Sequence, residues 1–336
     1  MNTINDIIGN ENNDIENNDI ENNNDIENND DISSITENIS NVNVNANVTA
    51  KNVRNQGLDK FYTIPIVVDK CIESISNLYK WNSWDFVIEP SAGNGSFYNK
   101  IPSTVLIKNK IGLDISPEHK DIIKQDFFNY KPPINKKKIL VFGNPPFGKV
   151  SSIAIKFFNH AATWANVIAF IIPKTFRRIS VQNQLNLNFH LILDEDIPMK
   201  PCSFSPPMMV KCCFQIWEKK EIIRESIKLD TKHSDWEFLS FGPNDENGQP
   251  TPPFGADFAL RAYGGKCGYI EKNKLKDLRP KSWHWIKCNI DKDLLISRFE
   301  KLDYSVSQNT ARQNSIGRGD LVSLYINSII ITNNSI

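Results

Sequence analysis

The sequence predicts an α/β fold: a doubly wound, mostly parallel sheet finished at one edge by an antiparallel hairpin. Two observations predict it. Short apolar runs alternate with helical stretches from about residue 60 to 220, and strands alternating with helices build a parallel sheet whose ligands sit beyond the carboxyl ends of the strands. The last two runs are joined by only a dozen turn-rich residues, which contain IPMKPCSFSPP. That is too short for a crossover helix, so these two strands are expected to pair antiparallel.

The expected strands, in order, are 84–90 (WDFVIEP), 109–115 (NKIGLDI), 121–126, 138–143 (KILVFG), 166–172 (NVIAFII), 189–195 (FHLILDE) and 208–217 (MMVKCCFQIW). Between the fourth and fifth, SSIAIKFFNHAATW (151–164) has apolar residues at 153, 155, 157, 158, 161 and 162, the spacing of an amphipathic helix. The run from Glu89 to Phe97 follows the first strand and is expected to open the first helix. Ser205-Pro206-Pro207-Met208 reads as a plain turn within the hairpin connection.

Ahead of this pattern lies a short-period repeat, ENNDI at 11–15 and 16–20, ENNNDI at 21–26 and ENNDDI at 27–32, and 17 of the first 50 residues are Asn. One Ile per five or six polar residues buries too little apolar surface to offset chain entropy. Residues 1–55 are therefore expected to be a disordered Asn/Asp/Glu-rich tail, ahead of the doubly wound domain at 56–220 and a small α+β or β-rich extension at 221–336.

The net charge of zero conceals an asymmetry. The first 50 residues hold 11 of the 39 acidic residues and no Lys or Arg, which leaves 28 acidic and all 39 basic residues in the remainder, a net of +11. A basic body favours polyanionic partners, nucleic acid first; ordinary surface charge is the other reading. The longest apolar stretches, such as Val167–Ile172, run about six residues where a membrane span needs roughly twenty, so no membrane partner is expected. The start, MNTINDIIGNENN, has neither the basic and apolar regions of a secretion signal nor the Arg-rich character of a transit peptide. The expectation is an intracellular protein, cytoplasmic or nuclear and not secreted. The six Cys form no C-x-x-C pair and no zinc spacing with the five His, so no metal is expected.

Chemistry concentrates at the strand ends. After the first strand comes Glu89-Pro90-Ser91-Ala92-Gly93-Asn94-Gly95, where Gly93 and Gly95 allow a tight turn and close approach of backbone to ligand. A dinucleotide fingerprint would need a third Gly at position 98, which is Tyr. Asp114 ends the second strand, placed to accept from ribose hydroxyls, and Asp126 ends the third, placed to accept from an exocyclic amine. Alone, each acid reads equally as a helix cap or turn residue. Together the three features describe a pocket for a nucleoside-bearing cofactor without a phosphate cradle.

The fourth strand ends in Asn144-Pro145-Pro146-Phe147-Gly148. The prolines keep the Pro145 carbonyl out of a helix or ladder, which pairs it with the Asn144 side-chain oxygen as two acceptors suited to a planar NH2 group. Phe147 offers a face for a stacked base.

The order and spacing resemble the class I S-adenosylmethionine-dependent amino-methyltransferases, most closely the gamma-type adenine-N6 methyltransferases. The resemblance covers about 58–220 and includes Lys60-Phe61-Tyr62-Thr63-Ile64-Pro65, EPSAGNG, Asp114, Asp126-Phe127, NPPF and Ile168–Phe176 (IAFIIPKTF). It implies the seven-stranded Rossmann-like methyltransferase sheet and S-adenosyl-L-methionine as cofactor. It also implies Thr63 at the methionine carboxylate, Glu89 with Gly93 and Gly95 at the methionine end, Asp114 at the ribose, and Asp126 with the Phe127 amide at the cofactor's adenine. Asn144, Pro145, Pro146 and Phe147 would take the target amine and its flipped-out base. The implied substrate is the N6 amine of adenine in nucleic acid, DNA ahead of RNA. NPP motifs also serve methyltransferases of protein glutamine and guanine N2, and a catalytically silent nucleic-acid-binding module of the same fold is a further alternative. Beyond residue 220 no family pattern applies. There, 13 Lys or Arg against 8 Asp or Glu over 251–320, interleaved with Phe254, Phe258, Tyr263, Trp283, His284 and Trp285, suit a target-recognition region of short strands.

Overall fold

The computed structural model describes residues 60–333; the acidic repeat and the expected boundary near residue 55 lie outside the described residues. The described chain begins with a two-residue strand, β1 (Tyr62–Thr63), and helix α1 (Pro65–Leu78). Pro65 opens α1, in the first turn where a missing amide leaves no bond unmade. Then come β2 (Phe86–Glu89), β3 (Lys110–Asp114), β4 (Ile122–Lys124), β5 (Ile139–Gly143), α2 (Ser152–Ala162) and β6 (Val167–Pro173). The short α3 (Ile179–Gln182), β7 (Phe189–Ile197), β8 (Phe204–Ser205) and β9 (Cys212–Lys219) complete this part.

Seven of these strands form one sheet in the order β4-β3-β2-β5-β6-β9-β7. All neighbours pair parallel as far as β6, while β9 runs antiparallel to both β6 and β7. This is the seven-stranded sheet with an antiparallel edge hairpin expected from the sequence. Successive strand residues alternate between two cores, because side chains on a strand point to opposite faces. Val87, Leu140, Phe142 and Ala169 meet Val67, Val68, Cys71 and Ile75 of α1 on one face. Phe86, Ile88, Ile139, Val141 and Ile168 meet Ala154, Phe157, Phe158 and Ala161 of α2 on the other. Phe158 is fully buried and edge-on to both Phe189 and Trp217. Phe158→Ala is therefore expected to lower stability by about 3–5 kcal/mol, read as a shift of the urea unfolding midpoint with unchanged slope.

Two local expectations are corrected. The glycine loop does not open an α-helix: residues 90–97 turn without one, and only a 3-10 segment, Tyr98–Lys100, follows. Gly93 and Gly95 take φ of +49° and +82°, and Pro102 follows within seven residues, so no uninterrupted helical stretch remains before β3. The run at 205–208 is also more than a turn, since its first residue, Ser205, belongs to β8. That strand pairs with β1, Tyr62 opposite Ser205 and Thr63 opposite Phe204.

Beyond the hairpin, β10 (Trp236–Phe238), β11 (Phe258–Arg261), β12 (Ile270–Glu271) and β13 (Trp283–Cys288) form a separate four-stranded antiparallel sheet in the order β10-β13-β11-β12. Helices α4 (Lys292–Phe299) and α5 (Arg318–Asn333) follow. Its cores draw on residues from Trp236 onward. Arg178 ties the two parts together: it donates to Asn309 O at 2.7 Å and Ser315 O at 2.6 Å and pairs with Asp320 at 3.0 Å. Lys211 adds a bond to the Asn314 side chain at 2.7 Å.

Candidate active site

Because β2, β3 and β5 are parallel neighbours, their carboxyl ends bring Glu89, Asp114 and Asn144 to one edge of the sheet. Glu89 is buried there, and Gly143 is the residue that lets it fit. Gly143 takes a φ of +135°, and a Cβ on it would stand 3.1 Å from Glu89 Cγ. Asp114 anchors the glycine loop: one carboxylate oxygen accepts from Gly93 N at 2.8 Å and the other from Ser116 N at 2.7 Å.

The β1 strand lies against this loop. A Cβ on Gly93 would stand 2.6 Å from Tyr62 Cε1, so only glycine admits the Tyr62 ring. Lys60 reinforces the approach with an ion pair to Glu118 at 2.8 Å, and Glu118 N donates to Gly93 O at 2.9 Å. On its other side β1 is held by β8, with Ile64 N donating to Ser203 O at 3.0 Å. Thr63 is buried at the middle of this arrangement.

The Asn144 carbonyl accepts from the Ser91 hydroxyl at 3.1 Å, and the Phe147 carbonyl accepts from Ile153 N at 3.2 Å and Ala154 N at 3.3 Å. Among the described residues nothing donates to the Pro145 carbonyl. The Asn144 side chain donates its Nδ2 to Phe61 O at 3.1 Å, which fixes the amide so that Oδ1 remains the acceptor. Phe147 is half-buried against the core, and Pro146 is half-buried beside it. Just after the turn, Val150 and Ser151 take φ of +51° and +63°. A β-branched residue in that region is strained by about 1–3 kcal/mol, and the Ser151 hydroxyl is fixed to Thr175 Oγ1 at 2.7 Å.

Thr63 Oγ1, Glu89 Oε2 and Asn144 Oδ1, all buried at this end of the sheet, have no hydrogen-bond partner among the described residues. Native proteins leave few such atoms, since each costs about 1–3 kcal/mol. Their gathering around one glycine loop marks a place built to bind something polar. Burial pushes the Glu89 carboxyl well above the usual range; the Tyr98 amide works the other way, and the Asp114 charge adds to the rise. A carboxyl whose pKa is higher folded than unfolded contributes stability that is fully present below the unfolded pKa and lost as pH rises through the folded one. Glu89→Gln is therefore expected to weaken the decline in stability between about pH 5 and pH 8, measured by urea unfolding at both.

The sequence-derived residues fall into two groups. Thr63, Glu89, Gly93, Gly95, Asp114 and Asn144 to Phe147 gather at the edge just described. Asp126 lies one strand farther out, two residues beyond β4. It is exposed and caps a 3-10 turn by accepting from Phe128 N at 2.9 Å. The Phe127 ring belongs to the core, stacked on Phe157 at 5.2 Å, which leaves its amide as the part able to meet a ligand. Sequence reading missed Ser91 and the Phe61 carbonyl, the two groups that set Asn144. Phe61 stands 83 positions from Asn144, and no local spacing signals that contact. Among the described residues no group of three or more His, Cys, Asp or Glu could hold a metal, and no helix is long and apolar enough to cross a membrane.

No family model matches the chain, and no curated protein matches it. Solved structures similar to it include the 23S rRNA methyltransferase ErmE, at 13% identity and a TM-score of 0.36 over 49% of this chain and 71% of that one. Others are a magnesium protoporphyrin IX methyltransferase from Synechocystis with bound SAM (10%, TM-score 0.35, 46% and 79%) and the N-methyltransferase NodS from Bradyrhizobium japonicum (12%, TM-score 0.32, 46% and 94%). All three TM-scores lie below 0.5, so function has to be read from the site's own residues.

Proposed function

We propose that the chain is an S-adenosylmethionine-dependent methyltransferase that methylates the exocyclic N6 amine of adenine in nucleic acid, DNA ahead of RNA. Residues 56–220 form its catalytic domain and 221–336 its target-recognition region. The observation that carries this reading is the Asn144 amide, fixed by Phe61 O at 3.1 Å with its buried Oδ1 unpartnered, next to a Pro145 carbonyl that no described donor occupies.

The unpartnered Thr63 and Glu89 oxygens and the glycine loop fit the methionine end of the cofactor, with its carboxylate and its amine. Asp114 fits the ribose, and Asp126 with the Phe127 amide fits the adenine. When bound, the cofactor supplies an electrophilic methyl group. The chain's own task is to present the nucleophile. Asn144 Oδ1 and the Pro145 carbonyl accept the two hydrogens of the target amine and turn its lone pair out of conjugation with the ring. Positive charge that develops on nitrogen is then met by two fixed acceptors, and Pro145 and Pro146 hold the turn that aims them. Phe147 stacks on the base, which has to leave its own stack to arrive.

Incubation with labelled S-adenosylmethionine and separate pools of DNA, RNA and protein, followed by nucleoside and amino-acid mass spectrometry, tests the reading. N6-methyladenine is expected. Methylglutamine or N2-methylguanine as the sole product would replace the substrate, and absence of cofactor binding would leave a silent nucleic-acid-binding module.

A further inference from the structure

The four-stranded sheet carries a cavity of about 380 Å³, within the size range of small-ligand sites, that the proposed methyl transfer does not use. Arg261, Lys266, Tyr269, Glu271, Leu278 and Trp283 line it. Trp283 is its floor, buried in a small core with Ala259 and Trp285. The Arg261 guanidinium lies 5.1 Å above the Trp283 ring and is steadied by a bond from its Nε to Tyr263 O at 2.8 Å. Tyr269 forms a wall: its ring meets Trp283 edge-on at 6.2 Å, yet 53% of the residue is exposed.

The segment that forms most of the lining is basic: residues 261–281 contain seven Lys or Arg against two acids, Glu271 and Asp277, and of these cations Lys272 is paired with Glu300 at 3.4 Å. Glu271, the acid in the lining, is committed to its own loop, where one oxygen accepts from the amides of Lys272 at 3.0 Å, Asn273 at 2.9 Å and Lys274 at 3.2 Å. Among the described residues no carboxylate lies within ion-pair distance of Arg261 or Lys266. An exposed aromatic face beside two cations, in a basic surround, matches a base with its phosphate. An acidic peptide would satisfy the charge and leave the ring unused.

We propose that this cavity holds one nucleotide of a single-stranded stretch of nucleic acid, its base stacked on Tyr269 and its phosphate met by Arg261 and Lys266. The choice of nucleic acid as occupant rests on the substrate reading above.

The test is fluorescence anisotropy of the full chain, without cofactor, on short labelled oligo(dA) and oligo(A), the two arms separating DNA from RNA. Tyr269→Ala is expected to weaken binding about tenfold, the effect of losing one base–aromatic stack, while Tyr269→Phe binds like wild type. Lys266→Ala is expected to lower the slope of log affinity against log salt by about one. Unchanged affinity in Tyr269→Ala, with circular dichroism showing an intact fold, overturns the proposal, as does displacement of the oligonucleotide by poly-glutamate as readily as by unlabelled oligonucleotide. Binding that depends on Tyr269 in a chain that transfers no methyl group would sink the enzyme reading and keep the cavity. Methyl transfer to nucleic acid with Tyr269 dispensable for binding would do the reverse. A wild type that binds neither oligonucleotide overturns both.

Discussion

Asn144→Ala is expected to lower turnover on nucleic acid by a factor on the order of 10² or more while leaving affinity for the methyl donor within about twofold. The expectation follows from the two ends of one side chain. Nδ2 bonds Phe61 O at 3.1 Å and so belongs to the frame; Oδ1 is buried without a partner and so is available to substrate. Alanine removes the acceptor and the device that orients it. The target amine then keeps its conjugation with the ring and meets one fixed acceptor instead of two. Asn144→Asp separates the two functions. It keeps an acceptor toward the substrate but sets a carboxylate oxygen against the Phe61 carbonyl, so it should rescue little. Phe147→Ala acts differently, since lost stacking weakens substrate binding by about 1–3 kcal/mol and shows mainly in KM. Single-turnover methyl transfer at saturating cofactor, alongside calorimetric titration of the cofactor, checks all three. An Asn144→Ala protein that methylates at the wild-type rate would remove this residue from the chemistry.

The seven-stranded sheet was legible in the sequence because of how parallel strands are buried. β5 and β6 are covered on both faces, so ILVFG and VIAFIIP read as unbroken apolar runs. The edge hairpin followed from the length of one connection, and α2 from its apolar spacing. The missing helix after the glycine loop was only half legible: Pro102 stands in the sequence, but the positive φ of Gly93 and Gly95, which denies a helix its first turn, is a property of the folded loop. The pairing of β1 with β8 was out of reach. Two-residue strands have no periodicity, and Tyr62 pairs directly with Ser205, far along the chain. At the site, Glu89, Asp114 and Asn144 could be placed because strand ends are positions that a sequence pattern marks. Their partners could not, because Ser91 and Phe61 act through a single hydroxyl and a single carbonyl, and any residue type supplies a carbonyl.

Asp114→Ala is expected to lower S-adenosylmethionine affinity by a factor on the order of 10², with a stability loss of about 1–3 kcal/mol from the backbone amides it leaves unpaired. Both effects come from one carboxylate. Its oxygens hold Gly93 N at 2.8 Å and Ser116 N at 2.7 Å, and each oxygen has a lone pair beyond those bonds to offer a ribose hydroxyl. The Gly93 bond matters most, because the Tyr62 ring rests on that glycine with no room for a Cβ. Releasing the loop therefore disturbs β1, and with it Thr63 at the methionine end. Asp114→Asn tells the structural role from the binding role. Its one oxygen can accept from one of the two amides, while its NH2 group faces the other, so the loop keeps part of its anchor. Stability should recover more than affinity does, because a ribose needs two acceptors and the loop is also held through Glu118 N to Gly93 O at 2.9 Å. Calorimetric titration and urea unfolding of wild type, Asp114→Ala and Asp114→Asn read the two quantities separately. If affinity tracked stability across the three proteins, Asp114 would be a loop anchor only, and the ribose contact would have to be sought elsewhere on the glycine loop.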